Sequence, residues 1–253
     1  MQPLIVALGA AALVAATAWR FGALDVGGAC AATLVGAAVF GFGGLGPAIL
    51  LVLFFASASA LSALPGRSDR SRRSARQVFA NGSIAALAVA LFGSDQLADL
   101  LLIGAVAAAT ADTWATEIGV RFGKNPRSIL TFRPRPPGTS GAVSLAGTVA
   151  SVAGAVGVGL AGVWLTHGQA GPALIAGIGG GVAGSLVDSV LGDSLQARYR
   201  CSACKLRPQV ARHGGCHERA EHVGGVPGLD NDVVNWITTL TGTAIAAFVH
   251  AAA

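Results

Sequence analysis

Gly177-Ile-Gly-Gly-Gly-Val-Ala-Gly184 runs directly into Ser185-Leu-Val-Asp188-Ser-Val-Leu-Gly-Asp193-Ser-Leu-Gln196. The first half is built of small and apolar residues, as in a helix that packs closely against others inside a bilayer. The second half carries two carboxylates. Ionisable groups within a membrane span are costly enough to mark a site by default. The pattern occurs a second time, at Asp112-Thr-Trp-Ala-Thr-Glu117: an Asp, a hydroxyl residue, three further residues and an acid. The rest of the chain reads as organised around these two segments.

Composition agrees. Of 253 residues, 53% are hydrophobic, only 11% are charged and 36 are glycine, with a mean hydropathy of +0.64. A soluble domain carries about 25% charged residues. The deficit is spread over repeated long apolar runs, which excludes an ordinary soluble domain and predicts an all-α, polytopic membrane bundle. About eight spans are expected, at 3–19, 24–43, 46–64, 78–93, 97–119, 140–165, 171–196 and 231–250, forming one catalytic domain over 1–253. Met1–Trp19 lacks a basic leader and reads as the first span rather than a cleaved signal.

All 17 Lys and Arg then fall in four alternate connections. By the positive-inside rule the loops at about 65–77, 120–138 and 197–229 are cytosolic and both termini lie outside. The first loop, with Arg73 and Arg76, reads as a topology or headgroup patch. It also leads into a span holding Asn81, one helical turn in, which suggests a site wall facing those arginines. In the second loop, Arg133-Pro-Arg-Pro-Pro-Gly138 stops helix formation before Thr139-Ser-Gly-Ala-Val-Ser144. A helix opened by Gly138, Thr139, Ser140 and Gly141 would offer free N–H groups to phosphate. Thr139 or Ser140 could equally be a plain N-cap.

The acids Asp112, Glu117, Asp188, Asp193, Asp230 and Asp232 all fall at the expected cytosolic boundary beside the basic loops. Residues five apart on a helix point about 140° from each other, so neither duplicated pair shares a face unless the helix breaks, for which Gly192 is one candidate. Carboxylates with hydroxyls, and no His among them, suit Mg²⁺ bridged to substrate phosphates. Salt bridging to the arginines is the competing reading. Asp230 and Asn231 could cap the last helix, while Asp232 and Asn235, three apart, share a face and could complete the site.

The four cysteines do not read as a disulfide framework. Cys201, Cys204, Cys216 and His217 are compatible with a structural Zn²⁺ site or with reduced, unliganded thiols. Cys30, within a span, reads as small packing.

Arg76-Gln-Val-Phe-Ala-Asn-Gly82, Asp112-Thr-Trp-Ala-Thr-Glu-Ile-Gly119, Gly138-Thr-Ser-Gly-Ala-Val-Ser144, Asp188-Ser-Val-Leu-Gly-Asp-Ser-Leu-Gln196 and Asp230-Asn-Asp-Val-Val-Asn235 together resemble the transmembrane-protein-19-like family, which includes the plastid phytyl-phosphate kinases. The resemblance runs from about Ala23 to Trp236. More distantly, the acidic pattern is similar to that of CTP-dependent polyprenol kinases and phosphatidate cytidylyltransferases. It implies an isoprenyl monophosphate acceptor, CTP or ATP as donor, and Mg²⁺. In that reading Asp112, Glu117, Asp188 and Asp193 hold the metal, with Asp230 and Asp232 as further ligands. Arg73, Arg76, Asn81, the Gly138–Gly141 turn, Ser144, Asn231 and Asn235 then meet phosphate or nucleotide. The lipid tail lies among Gly/Ala-rich helices, and no nucleic acid is expected. Cytidylyl transfer to the same lipid, or lipid or ion-coupled transport, are the alternatives.

Overall fold

The computed structural model describes residues 4–65, 72–166, 170–201 and 220–253. Cys204, Cys216 and His217 lie outside the described residues, and with them the zinc reading; Cys201 is described and buried.

Among the described residues, eight helices form the bundle: α1 (Leu4–Arg20), α2 (Val26–Ala38, prolonged by a π-helical turn, Val39–Gly43), α3 (Leu45–Ala63), α4 (Ala75–Phe92), α5 (Gln96–Phe122), α6 (Leu145–Leu165), α7 (Ala170–Ser194) and α8 (Asn231–Ala252). Seven are long and apolar enough to cross a membrane; α1, with 17 residues, is shorter. The protein is therefore an integral membrane helical bundle. Large apolar side chains such as Leu145, Trp164 and Phe248 are exposed on its outside, a surface that lipid covers.

The termini of the helices follow local chemistry. Asp25 caps α2 by accepting from Gly28 N at 2.6 Å, and Ser74 opens α4 with a capping box closed by Gln77, so α4 begins three residues before the expected 78. Ser144 caps α6 through Gly147 N at 3.2 Å. The span expected from 140 thus starts at Leu145, and neither Thr139 nor Ser140 is its cap. The intervening residues form a short antiparallel pair, β1 (Arg127–Ser128) with β2 (Ala142–Val143). A second pair, β3 (Arg198–Arg200) with β4 (Glu221–Gly224), joins α7 to α8.

The centre of the bundle is α5. Every residue from Leu100 to Ala111 is buried, as expected of a helix that is apolar on all sides. Three helices meet along one seam. On α5 it runs Gly104, Ala108, Asp112; on α7, Gly180, Gly184, Asp188; and on the oppositely directed α8, Gly242, Thr238, Asn235. A Cβ on Gly104 would lie 2.3 Å from the Gly242 carbonyl oxygen, and one on Gly184 would lie 2.6 Å from Ala108 Cβ. The spacing of four along α5 and α7, and of four and three along α8, keeps these residues on one stripe. The stripe is smooth through the bundle and ends in polar groups at the end where α5 and α7 finish and α8 begins.

Candidate functional site

Asp112 and Asp188 come from different helices, line one cavity, and lie close enough for their carboxyl groups to interact. On ideal geometry Asp112 is about 24 Å along the axis from Gln96, and Asp188 about 27 Å from Ala170, so both lie near the same end of the bundle. Thr238 Oγ1 donates to Asp188 Oδ2 at 3.3 Å. The Asn235 amide, turned as its oxygen-rich surroundings require, donates to the same Oδ2 at 3.2 Å and to the Asn231 carbonyl at 3.3 Å.

These acids line a polar cavity of about 150 Å³, closed by the Gly138–Ser144 turn and by Asn231, with Thr116, Ser185, Ser189 and Gln196 also on its wall. Gly138, Thr139, Ser140, Gly141 and Ser144 therefore line the same cavity as the two carboxylates, as a strand-like turn before α6 rather than as its first residues. Gly141 makes this closure possible. Its φ is +73°, and a Cβ there would lie 2.3 Å from Asp193 N, so both the backbone sign and the contact with α7 require glycine.

The structure does not bring Glu117 and Asp193 to this cavity pair. Helix α7 continues unbroken through Gly192, so Asp188 and Asp193 point to different neighbours, as do Asp112 and Glu117. Asp193 accepts from Ser128 Oγ, from Leu130 N at 3.3 Å and from Arg135 at 3.0 Å, anchoring the β1–β2 loop to α7. Glu117 pairs with Arg121 at 2.5 Å and lies 2.7 Å from Ser62 Oγ. Arg121 in turn donates to the Leu64 carbonyl at 3.0 Å, holding the end of α3. The duplicated pattern thus repeats in role: the first acid faces the cavity and the second binds an Arg and a Ser.

Asp230 and Asp232 are likewise not part of the pair. Asp230 caps α8 through the N–H groups of Asp232 and Val233. Arg76 reaches Asp230 at 2.6 Å and Asp232 at 3.5 Å, tying α4 to α8. Arg73 donates to Ser59 at 2.8 Å and Ser62 at 3.1 Å. With Asn81, whose amide donates to the Gln77 carbonyl at 3.0 Å, it lines a second, apolar cavity of about 350 Å³ among α1–α4. Thr113 lines that cavity while its chain neighbour Asp112 lines the polar one, so α5 is a wall common to both.

Thr238 escaped the sequence reading. It stands three residues after Asn235, on the same helical face, so extending that periodicity by one step would have found it. Ser62 and Ser128 carried no local signal, because their acids are far away in sequence.

The Glu117–Arg121 pair supports a stability prediction. Both side chains are almost fully buried, 8% and 3% exposed. In Glu117→Gln the guanidinium loses its counter-charge, which should cost about 3 kcal/mol. Thermal unfolding in detergent should show a clear fall in Tm; an unchanged Tm would mean the pair does not hold α3 on α5.

Among the described residues no group of three or more His, Cys, Asp or Glu could hold a metal ion. What the chain offers is a pair of carboxylates. That fits Mg²⁺, which is held by one or two carboxylates with water and substrate phosphates completing its shell. Two carboxyl groups in contact also need a proton or a cation between them.

Residues 9–243 match the family described as integral membrane protein DUF92. Similar proteins include an uncharacterized membrane protein of Methanocaldococcus jannaschii, 36% identical over 177 residues, covering 67% of this chain and 73% of that one. Protein PGR of Arabidopsis thaliana is 30% identical over 273 aligned positions, covering 94% and 92%. An uncharacterized membrane protein of Synechocystis is 32% identical over 174 residues, covering 68% and 56%. No solved structure matches. The family match takes in α2–α7 whole, with most of α1 and the start of α8, and so every residue of the polar cavity: the chain belongs to the integral membrane protein DUF92 family.

Proposed function

We propose that the protein is a Mg²⁺-dependent phosphotransferase that converts an isoprenyl monophosphate to the diphosphate, with CTP or ATP as donor, at the cytosolic boundary of the membrane. One observation carries the reading: Asp112 and Asp188, from separate helices, meet in a cavity closed by the turn that leads into α6. Bound there, Mg²⁺ would neutralise phosphate charge. The chain's own groups do the positioning. Thr238 and Asn235 fix the orientation of Asp188. The turn at Gly138–Ser144 and the start of α6 present backbone dipoles toward phosphate oxygens.

In the reaction a lipid phosphate oxygen forms a bond to the γ-phosphorus. The bond from that phosphorus to the β–γ bridging oxygen breaks, and the nucleoside diphosphate leaves with the electron pair. A phosphate monoester is already an anionic nucleophile, so the step needs no general base, and positioning with charge stabilisation carries the catalysis.

The test is incubation of purified protein with Mg²⁺, radiolabelled CTP or ATP and a panel of isoprenyl monophosphates. Lipid diphosphate with nucleoside diphosphate is the expected product pair. Pyrophosphate release with a CDP-lipid would replace the reading by cytidylyl transfer. Lipid or ion flux in proteoliposomes without nucleotide turnover would replace it by transport.

A further inference from the structure

Gln196 is used by nothing described so far. It follows the last turn of α7, is 2% exposed, lines the polar cavity, and its Nε2 has no hydrogen-bond partner among the described residues. A buried unsatisfied donor is rare in a folded protein and costs stability. The backbone that carries the side chain is held on both sides. Gln196 N donates to the Leu191 carbonyl at 2.8 Å, while Ala197 N donates to Leu229 O and Val226 N to Leu195 O, each at 2.8 Å. Gly225, at φ +78°, packs so tightly that a Cβ there would lie 2.0 Å from the Gln196 carbonyl oxygen. Gly192 leaves room for the amide: a Cβ there would stand 3.3 Å from Oε1.

On the same cavity wall is the N-terminus of the 21-residue helix α6, capped by Ser144. A buried donor without a partner and a helix N-terminus on one cavity wall call for an acceptor with several oxygens and negative charge. We propose that Gln196 Nε2 and the start of α6 form a phosphoryl subsite, Gln196 donating to a non-bridging phosphate oxygen held against the Asp112–Asp188 pair. This rests on the phosphotransfer reading and adds a positioning residue to it. The phosphoryl group could come from the nucleotide or from the lipid head, and the two sources separate by experiment.

Calorimetry in detergent with Mg²⁺, using inorganic pyrophosphate in one arm and geranyl monophosphate in the other, reads binding without turnover. Gln196→Glu keeps the shape but removes the donor and adds a negative charge. Gln196→Leu removes the donor and leaves an apolar group of similar size. Both should weaken one probe by about tenfold to a hundredfold: pyrophosphate if the subsite holds the donor, geranyl monophosphate if it holds the lipid head. Gln196→Leu should unfold at the same temperature as wild type or higher, since it deletes an unsatisfied buried donor; a merely structural amide would lower Tm instead. No binding of either probe to wild type, or wild-type affinity for both in both variants, overturns the subsite. Gln196-dependent binding in a protein that transfers no phosphoryl group would keep the subsite and discard the kinase. Transfer with Gln196-independent binding would do the reverse.

Discussion

Asp188→Asn should abolish phosphoryl transfer, lowering kcat by about 10³-fold or more, and should leave the protein at least as stable as wild type. The two halves of that result come from the same contact. Asp188 touches Asp112 and accepts from Thr238 and Asn235. An Asn at 188 keeps the shape and retains an oxygen for Thr238. It also removes one of two acids pressed together, so a source of repulsion disappears. Function and stability then move in opposite directions, as they do where a site holds unfavourable contacts for the sake of chemistry. Asp112→Asn should behave alike. Paired measurements of nucleotide turnover and thermal unfolding decide the matter: wild-type turnover removes Asp188 from the mechanism, and a lowered Tm with partial activity makes it a structural residue.

The bundle was legible because its signal is local and repeated. Apolar runs set the spans to within a few residues, and the cations marked the polar ends. The acids were half legible. That residues five apart cannot share a helical face already separated Asp112 from Glu117 and Asp188 from Asp193. Which member of each pair would face the cavity depends on the angle at which each helix meets its neighbours. The small-residue stripe decides it, since Gly104 and Ala108 lead to Asp112, and Gly180 and Gly184 to Asp188. Continued along the helices, that stripe could have made the choice from sequence. The partners of the other acids could not be read in this way. Arg135 is 58 residues from Asp193 and Ser62 is 55 from Glu117, and nothing near either acid points to them. From sequence the turn at 138–144 reads as a helix start, because glycine with hydroxyl residues suits one. The chain instead uses Gly141 for a close crossing over α7 and leaves capping to Ser144.

Gly104→Ala and Gly157→Ala add the same methyl group to the middle of a helix and should have opposite outcomes. At Gly157 a Cβ meets nothing within 4 Å, so the gain in helix propensity, about 0.5–1 kcal/mol, is unopposed and Tm should hold or rise. At Gly104 the Cβ would lie 2.3 Å from the Gly242 carbonyl oxygen and 2.8 Å from Ala246 Cβ. Backbone oxygen cannot rotate away as a side chain can, so α8 must move off α5. Overpacking of this kind costs about 1–3 kcal/mol or more. The displacement also reaches the site, because α8 carries Thr238 and Asn235, four and seven residues from Gly242. Pulling them from Asp188 frees that carboxylate to change rotamer, and misplacement by about 1 Å can cost on the order of 10²-fold in rate. Gly104→Ala should therefore lose both Tm and turnover, unlike Asp188→Asn, which loses turnover alone. Gly242→Ala, whose Cβ would lie 2.2 Å from the Gly104 carbonyl oxygen, should reproduce it from the other side of the seam. Full activity and stability in both variants would show that α5 and α8 do not approach along this line, and the placement of Asn235 and Thr238 on Asp188 would fall with it.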